Sequence, residues 1–112
     1  MLAVGAIAAF PAHAQVIPDP RAGHQLYVRN TIGQLIQRLQ PDGDRYDVYD
    51  VKRQSGLVGY AKMLGRRLTI YDLSDNVVAT MRAELLPPGS GMSVITIVRD
   101  RDGHPIGFLE RY

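Results

Sequence analysis

Four residues recur at one place in this 112-residue sequence. Arg29, Tyr49, Tyr71 and Arg99 each stand immediately before an Asn or Asp, namely Asn30, Asp50, Asp72 and Asp100. Two guanidinium groups and two phenols on a shared rim could grip an anionic or saccharide ligand, or a protein of the cell envelope, since both residue types are enriched at binding hot spots. The plainer account is that Tyr favours strands and Arg is a routine exposed residue.

Other candidate chemistry is thinner. Asp100-Arg101-Asp102-Gly103-His104 opens like a calcium loop, but such a loop needs Gly at its sixth position and an acid at its twelfth. Those places hold Pro105 and Arg111. Asp42, Asp44 and Asp47 cluster beside an Asp-Gly turn, which explains two of them. Nucleophilic catalysis needs a nucleophile, a base and an orienting group. His104 is the one histidine after His24, and Ser90 and Ser93 lack a G-x-S-x-G context. With no cysteine and three histidines, a zinc site has too few ligands. Pro87 to Gly91 lacks the Gly-Lys-Ser/Thr of a phosphate-binding loop. No enzyme, metal or cofactor is expected.

The elements that position these residues form a repeat. Val28-Arg29, Val48-Tyr49, Ile70-Tyr71 and Val98-Arg99 precede the four Asx residues. Six residues after the Asx, eight in the second unit, come Ile36, Val58, Val78 and Ile106. Gln37, Gly59, Ala79 and Gly107 follow, and then, two further on, Leu39, Ala61, Met81 and Leu109. Each unit reads as a strand, an Asx-led turn and a return strand. Asx spacings of 20, 22 and 28 residues indicate internal repetition. Glycine inside a return strand marks a bulge or a close backbone approach, and a bulge would explain adjacent apolar pairs such as Leu57-Val58 and Val77-Val78. Thr31 to Leu39 also fits a helix, since Ile32, Leu35, Ile36 and Leu39 fall at helical spacing. The strand reading ranks first because the other units share it. Pro105 at the start of a return strand points to an exposed edge, and open edges on four separate hairpins would allow a homodimer.

These units, of the form apolar-x-apolar-x-Asx, turn, apolar-apolar-small, resemble the repeats of the four-fold β-flower domains. The resemblance covers residues 26–112, with two extra turn residues in the second unit and Asn30 and Gln37 departing in the first. It implies an all-β fold in which four β-hairpin repeats pack around a common core, as a small radial β-repeat or a barrel-like domain, and it implies no catalytic residues.

Residues 1–14 read as a secretory signal peptide. Leu2 to Phe10 is apolar, and Ala12-His13-Ala14 before Gln15 makes a cleavage site, though a basic start is missing. Residues 15–25, with two prolines and a glycine, read as an extended, mobile arm. Without residues 1–14, 98 residues remain, which suffice for one core without staples. Eleven of the 13 basic residues are Arg, the net charge is +2 and the charges are scattered, which argues against a dedicated nucleic-acid protein. Lys52-Arg53 and Arg66-Arg67 read as solvated turn charges. The expectation is an exported periplasmic or secreted protein with a binding or structural role. The competing expectation is a secreted inhibitor of a cell-wall hydrolase acting through residues 85–93, or a small enzyme.

Overall fold

The computed structural model describes residues 17–52, 56–85, 89 and 94–110. Eight antiparallel strands follow one another: β1 Leu26–Asn30, β2 Leu35–Asp42, β3 Arg45–Asp50, β4 Leu57–Leu64, β5 Arg67–Asp72, β6 Val77–Leu85, β7 Val94–Asp100 and β8 Pro105–Leu109. Each pairs with its neighbour in sequence, and β8 returns to pair with β1, so the sheet closes into a barrel. Thr31 to Gly33 forms a turn and Leu35 onward a strand: Leu39 is buried and Ile32 exposed, whereas a helix would set both on one face. Closure also removes the open edge expected at Pro105. β8 is hydrogen-bonded on both sides, so the argument for a homodimer from unpaired edges falls away.

An eight-stranded barrel has an interior just wide enough to be filled by side chains. The four repeats fill it in register. Val28, Val48, Ile70 and Val98 point inward and are at most 3% exposed. Across its own hairpin each faces Gln37, Gly59, Ala79 or Gly107. Across the preceding strand each faces a residue of the next layer, Leu109, Leu39, Ala61 or Met81. That layer is completed by the buried Leu26, Tyr46, Leu68 and Thr96. The largest buried residue, Tyr46, is set against the small Ala61. Each such aliphatic contributes about 1.5–3 kcal/mol on burial.

All four hairpins slip register at the same place, after Val28, Val48, Ile70 and Val98. The unpaired residues are Ile36, Val58, Val78 and Ile106, one bulge per repeat. A bulge bends its strand and increases local twist, which is what closing so narrow a sheet demands. Two return strands also approach a neighbouring backbone. A Cβ on Gly59 would lie 1.9 Å from the Tyr71 carbonyl oxygen, and one on Gly107 would lie 2.3 Å from that of Arg29.

The Asx residues build the turns as well as ending the strands. The Asn30 Oδ1 accepts the Ile32 and Gln34 amides at 3.1 and 2.9 Å. Asp72 Oδ1 accepts those of Ser74 and Asn76 at 2.8 and 3.0 Å. Asp100 Oδ1 accepts those of Asp102 and His104 at 3.0 and 2.9 Å. In the longer second turn Asp50 Oδ1 holds the Lys52 amide at 2.9 Å. Backbone amides that donate to the ionised form pull the Asp72 and Asp100 carboxyls below the usual range, those of Asn76 and His104 being the largest contributors. All four hairpin turns hold a left-handed residue, at Gly33, Gly56, Asp75 and Gly103.

The segment ahead of β1 is anchored. Ile17 is 6% exposed within the core cluster, Pro20 is buried in a single 3-10 turn, and the Tyr46 hydroxyl donates to the Pro18 carbonyl at 2.7 Å. A buried phenol needs an acceptor, and the arm supplies it, which sequence periodicity could not reveal. The expected leader and the first residues of the arm lie outside the described residues, as do residues 86–88 and 90–93 of the long loop.

Two predictions follow from the backbone. Gly59→Ala forces a Cβ into a carbonyl oxygen that no rotamer can move, and urea denaturation should show a loss of about 3 kcal/mol or more. Gly103→Ala meets open space and suffers only its positive φ, so the same measurement should show about 1–2 kcal/mol. A third concerns acid. Carboxyls depressed in the folded state stabilise it above their unfolded value of 3.8 and lose that contribution as pH falls through the folded value. An Asp72→Asn, Asp100→Asn double variant keeps an acceptor, as Asn30 already does. Its stability should therefore fall less than the parent's between about pH 5 and pH 2.

Candidate anion-binding site

The residue before each Asx belongs to the outward-facing set, because its predecessor points into the core. Arg29, Tyr49, Tyr71 and Arg99 therefore stand on alternate strands of a closed barrel and face four directions. No small ligand could touch all four. The two arginines are engaged in equivalent ways. Arg29 donates to the carbonyl of Gly33 in its own turn at 2.8 Å and to Glu110 Oε1 at 2.6 Å. Arg99 donates to the Gly103 carbonyl at 2.9 Å and forks onto both oxygens of Glu84 at 2.8 Å. The fork holds the Glu84 carboxyl below the usual range and raises Arg99. The tyrosines are also engaged. The Arg38 guanidinium lies 4.7 Å from the centroid of the Tyr49 ring. Tyr71 stacks on Tyr60 with centroids 5.0 Å apart, and the Tyr60 hydroxyl donates to Asp75, which raises the Tyr60 phenol.

The arrangement does bring together a different set. A cleft of about 490 Å³ on the outer wall of β5 to β7 is lined by Arg67, Arg82, Arg99 and Arg101, with Thr80 between them and Asp100 and Gly103 at its turn end. Alternation puts the lining there. Arg67 precedes the inward Leu68, Thr80 and Arg82 flank the inward Met81, and Arg99 follows the inward Val98. Arg67, Arg82 and Arg101 form no ion pair or hydrogen bond among the described residues. Arg82 and Arg101 act only at a distance, on Glu84 and Asp72. Asp100, the one carboxylate in the lining, is committed to turn amides.

Thr80 pairs with Thr69 on one side and Arg99 on the other. Thr69 shares the outward face of β5 with Arg67, yet it is only 4% exposed and its Oγ1 has no hydrogen-bond partner. Thr69 is not part of the lining, so its buried hydroxyl is out of reach of a molecule in the cleft. The guanidinium groups and the Thr80 hydroxyl of the lining can all donate, a chemistry that suits oxyanions such as carboxylate, sulfate or phosphate.

Arg99 is thus the sequence-predicted residue that the cleft contains. Tyr49 lines a smaller groove of about 270 Å³ with Tyr27, Arg38 and Asp50, on β1 to β3. There Arg38 already donates to Gln40 at 2.8 Å and Tyr27 to Gln25 at 2.8 Å, so fewer donors remain. Arg67 was expected as a solvated turn charge, but it is the first residue of β5 and lines the cleft. Thr69, Thr80, Arg82 and Arg101 carried no motif. The available signal was their place between inward aliphatic residues in the third and fourth repeats. Asp100, Asp102 and His104 do gather, with ligand atoms within 4.8 Å of one another. The turn explains that cluster, through Asp100 and the amides it holds. No family model matches the chain, and neither the curated proteins nor the solved structures include a match to it.

Proposed function

We propose that this chain is a small, exported, non-catalytic binding module, a β-flower-like hairpin-repeat barrel that takes an anionic ligand on the outer wall of β5 to β7. The observation that carries this reading is the cleft on which Arg67, Arg82 and Arg101 converge without forming an ion pair among the described residues. Surface arginines normally spread apart or pair. Convergence of four on one concavity raises the local potential and favours entry of anions. The lining supplies donors and positive charge, and its carboxylate is committed elsewhere, which suits holding a ligand rather than moving protons. Export rests on the apolar run and cleavage site of residues 2–14. No helix among the described residues is long and apolar enough to cross a membrane. The wall itself carries Arg38, Asp47, Lys62, Arg82 and Glu84 around an aliphatic interior, the inverse of a membrane-spanning barrel.

Titration of the 15N-labelled protein with sodium sulfate against chloride at fixed ionic strength tests the reading. Amide shifts should concentrate at residues 67–69, 80–82 and 97–103. An Arg67→Ala, Arg82→Ala double variant should remain folded, since both side chains are exposed, and should lose most of the response. Shifts spread evenly over the barrel, or unchanged in the variant, would sink the proposal.

A further inference from the structure

The cleft is one part of a longer cationic track, and we infer that its ligand is a linear acidic glycan rather than a single small anion. This rests on the anion-binding reading above. Outward cations occupy four successive strands: Lys62 on β4, Arg67 on β5, Arg82 on β6 and Arg101 just past β7. Neighbouring strands lie about 4.8 Å apart, so these cations spread about 14 Å across the wall, and Arg101 is displaced further along the strand direction from Ile97, the partner of Arg82. That is farther than one sulfate or one sugar carboxylate reaches. Along the hydrogen-bonding direction Lys62 pairs with Thr69, Thr69 with Thr80 and Thr80 with Arg99. That row places the half-buried Thr80 between Lys62 and the Glu84-paired Arg99, with Thr69 buried. A chain of uronic acid or sulfated sugars offers the complement, charges at intervals with hydroxyls between them.

The row beside it decides between acidic polymers. Tyr60 and Tyr71 stack on each other, with the Arg45 guanidinium 5.1 Å and the Lys62 Nζ 5.7 Å from the Tyr60 centroid. The Tyr60 hydroxyl is tied to Asp75. Single-stranded nucleic acids are held by stacking successive bases on open aromatic faces. Here the rings are spent on each other and on cations. They form a rigid apolar shoulder along the track, suited to the edge of a pyranose ring.

Isothermal titration with oligogalacturonates of increasing length, from monomer to octamer, tests the inference. Affinity should climb about tenfold from dimer to hexamer as added carboxylates reach Lys62, and then level off. Lys62→Ala, outside the cleft lining, should weaken the hexamer about threefold to fivefold and leave the dimer unchanged. A hexamer no tighter than the dimer overturns the polymer while leaving the anion site standing. The polymer also falls if no galacturonate binds at any length although sulfate still produces its shifts. If oligothymidylate of matched length binds as tightly as the hexamer, the ligand class is nucleic acid and the inference fails. Failure of sulfate and galacturonates together removes the anion site as well.

Discussion

The narrowness of the barrel constrains everything else. Eight strands enclose room for two layers of side chains, and the repeats divide that room in a fixed way. One strand of each hairpin brings a β-branched residue to the inner layer, and its partner brings Gln37, Gly59, Ala79 or Gly107 opposite. Four large residues facing four more would not fit. At Gly59 and Gly107 even a methyl group would strike a neighbouring carbonyl, and the Gly107 contact lies on the seam where β8 meets β1.

The bulges belong to the same solution. Each places an extra aliphatic residue at the point where the strand must bend, and each falls between an inward residue and the outward one that follows. The outward residue is therefore carried to the mouth of its own turn. That is why Arg29 and Arg99 reach the Gly33 and Gly103 carbonyls. Their first role is to tie a turn to a neighbouring strand through Glu110 and Glu84. Tyr49 and Tyr71 do comparable work by lying against Arg38 and Tyr60. With these tied down, the cations that form no ion pair among the described residues include Arg67, Arg82 and Arg101 of the third and fourth repeats.

The wall is accordingly less symmetric than the core. Inside, three of the four repeats set a glycine or alanine opposite the β-branched residue, and the first sets the half-buried Gln37 there. Outside, each is free to vary: strands β1 to β7 carry one cationic residue each, and those of β5 and β6, Arg67 and Arg82, form no ion pair among the described residues. Internal repetition commonly leaves such a division, because packing restrains one face of each strand while solvent leaves the other unrestrained.

Legibility of the sequence follows the same line. The strands, their turns, the four-fold alignment and the bulges were open to reading from residue types, because alternation, Asx chemistry and in-strand glycines are local signals. Closure was open to reading only as one alternative, a barrel-like domain, since nothing in the residues of β1 and β8 announces that they pair. Closure in turn set where the outward residues go. It dispersed Arg29, Tyr49, Tyr71 and Arg99 to four sides, and it gathered Arg67, Thr80, Arg82 and Arg101, which lie on separate strands and share no motif. Periodicity tells a residue which face it takes, and only the register between strands and the curvature of the finished wall tell it which neighbours it meets.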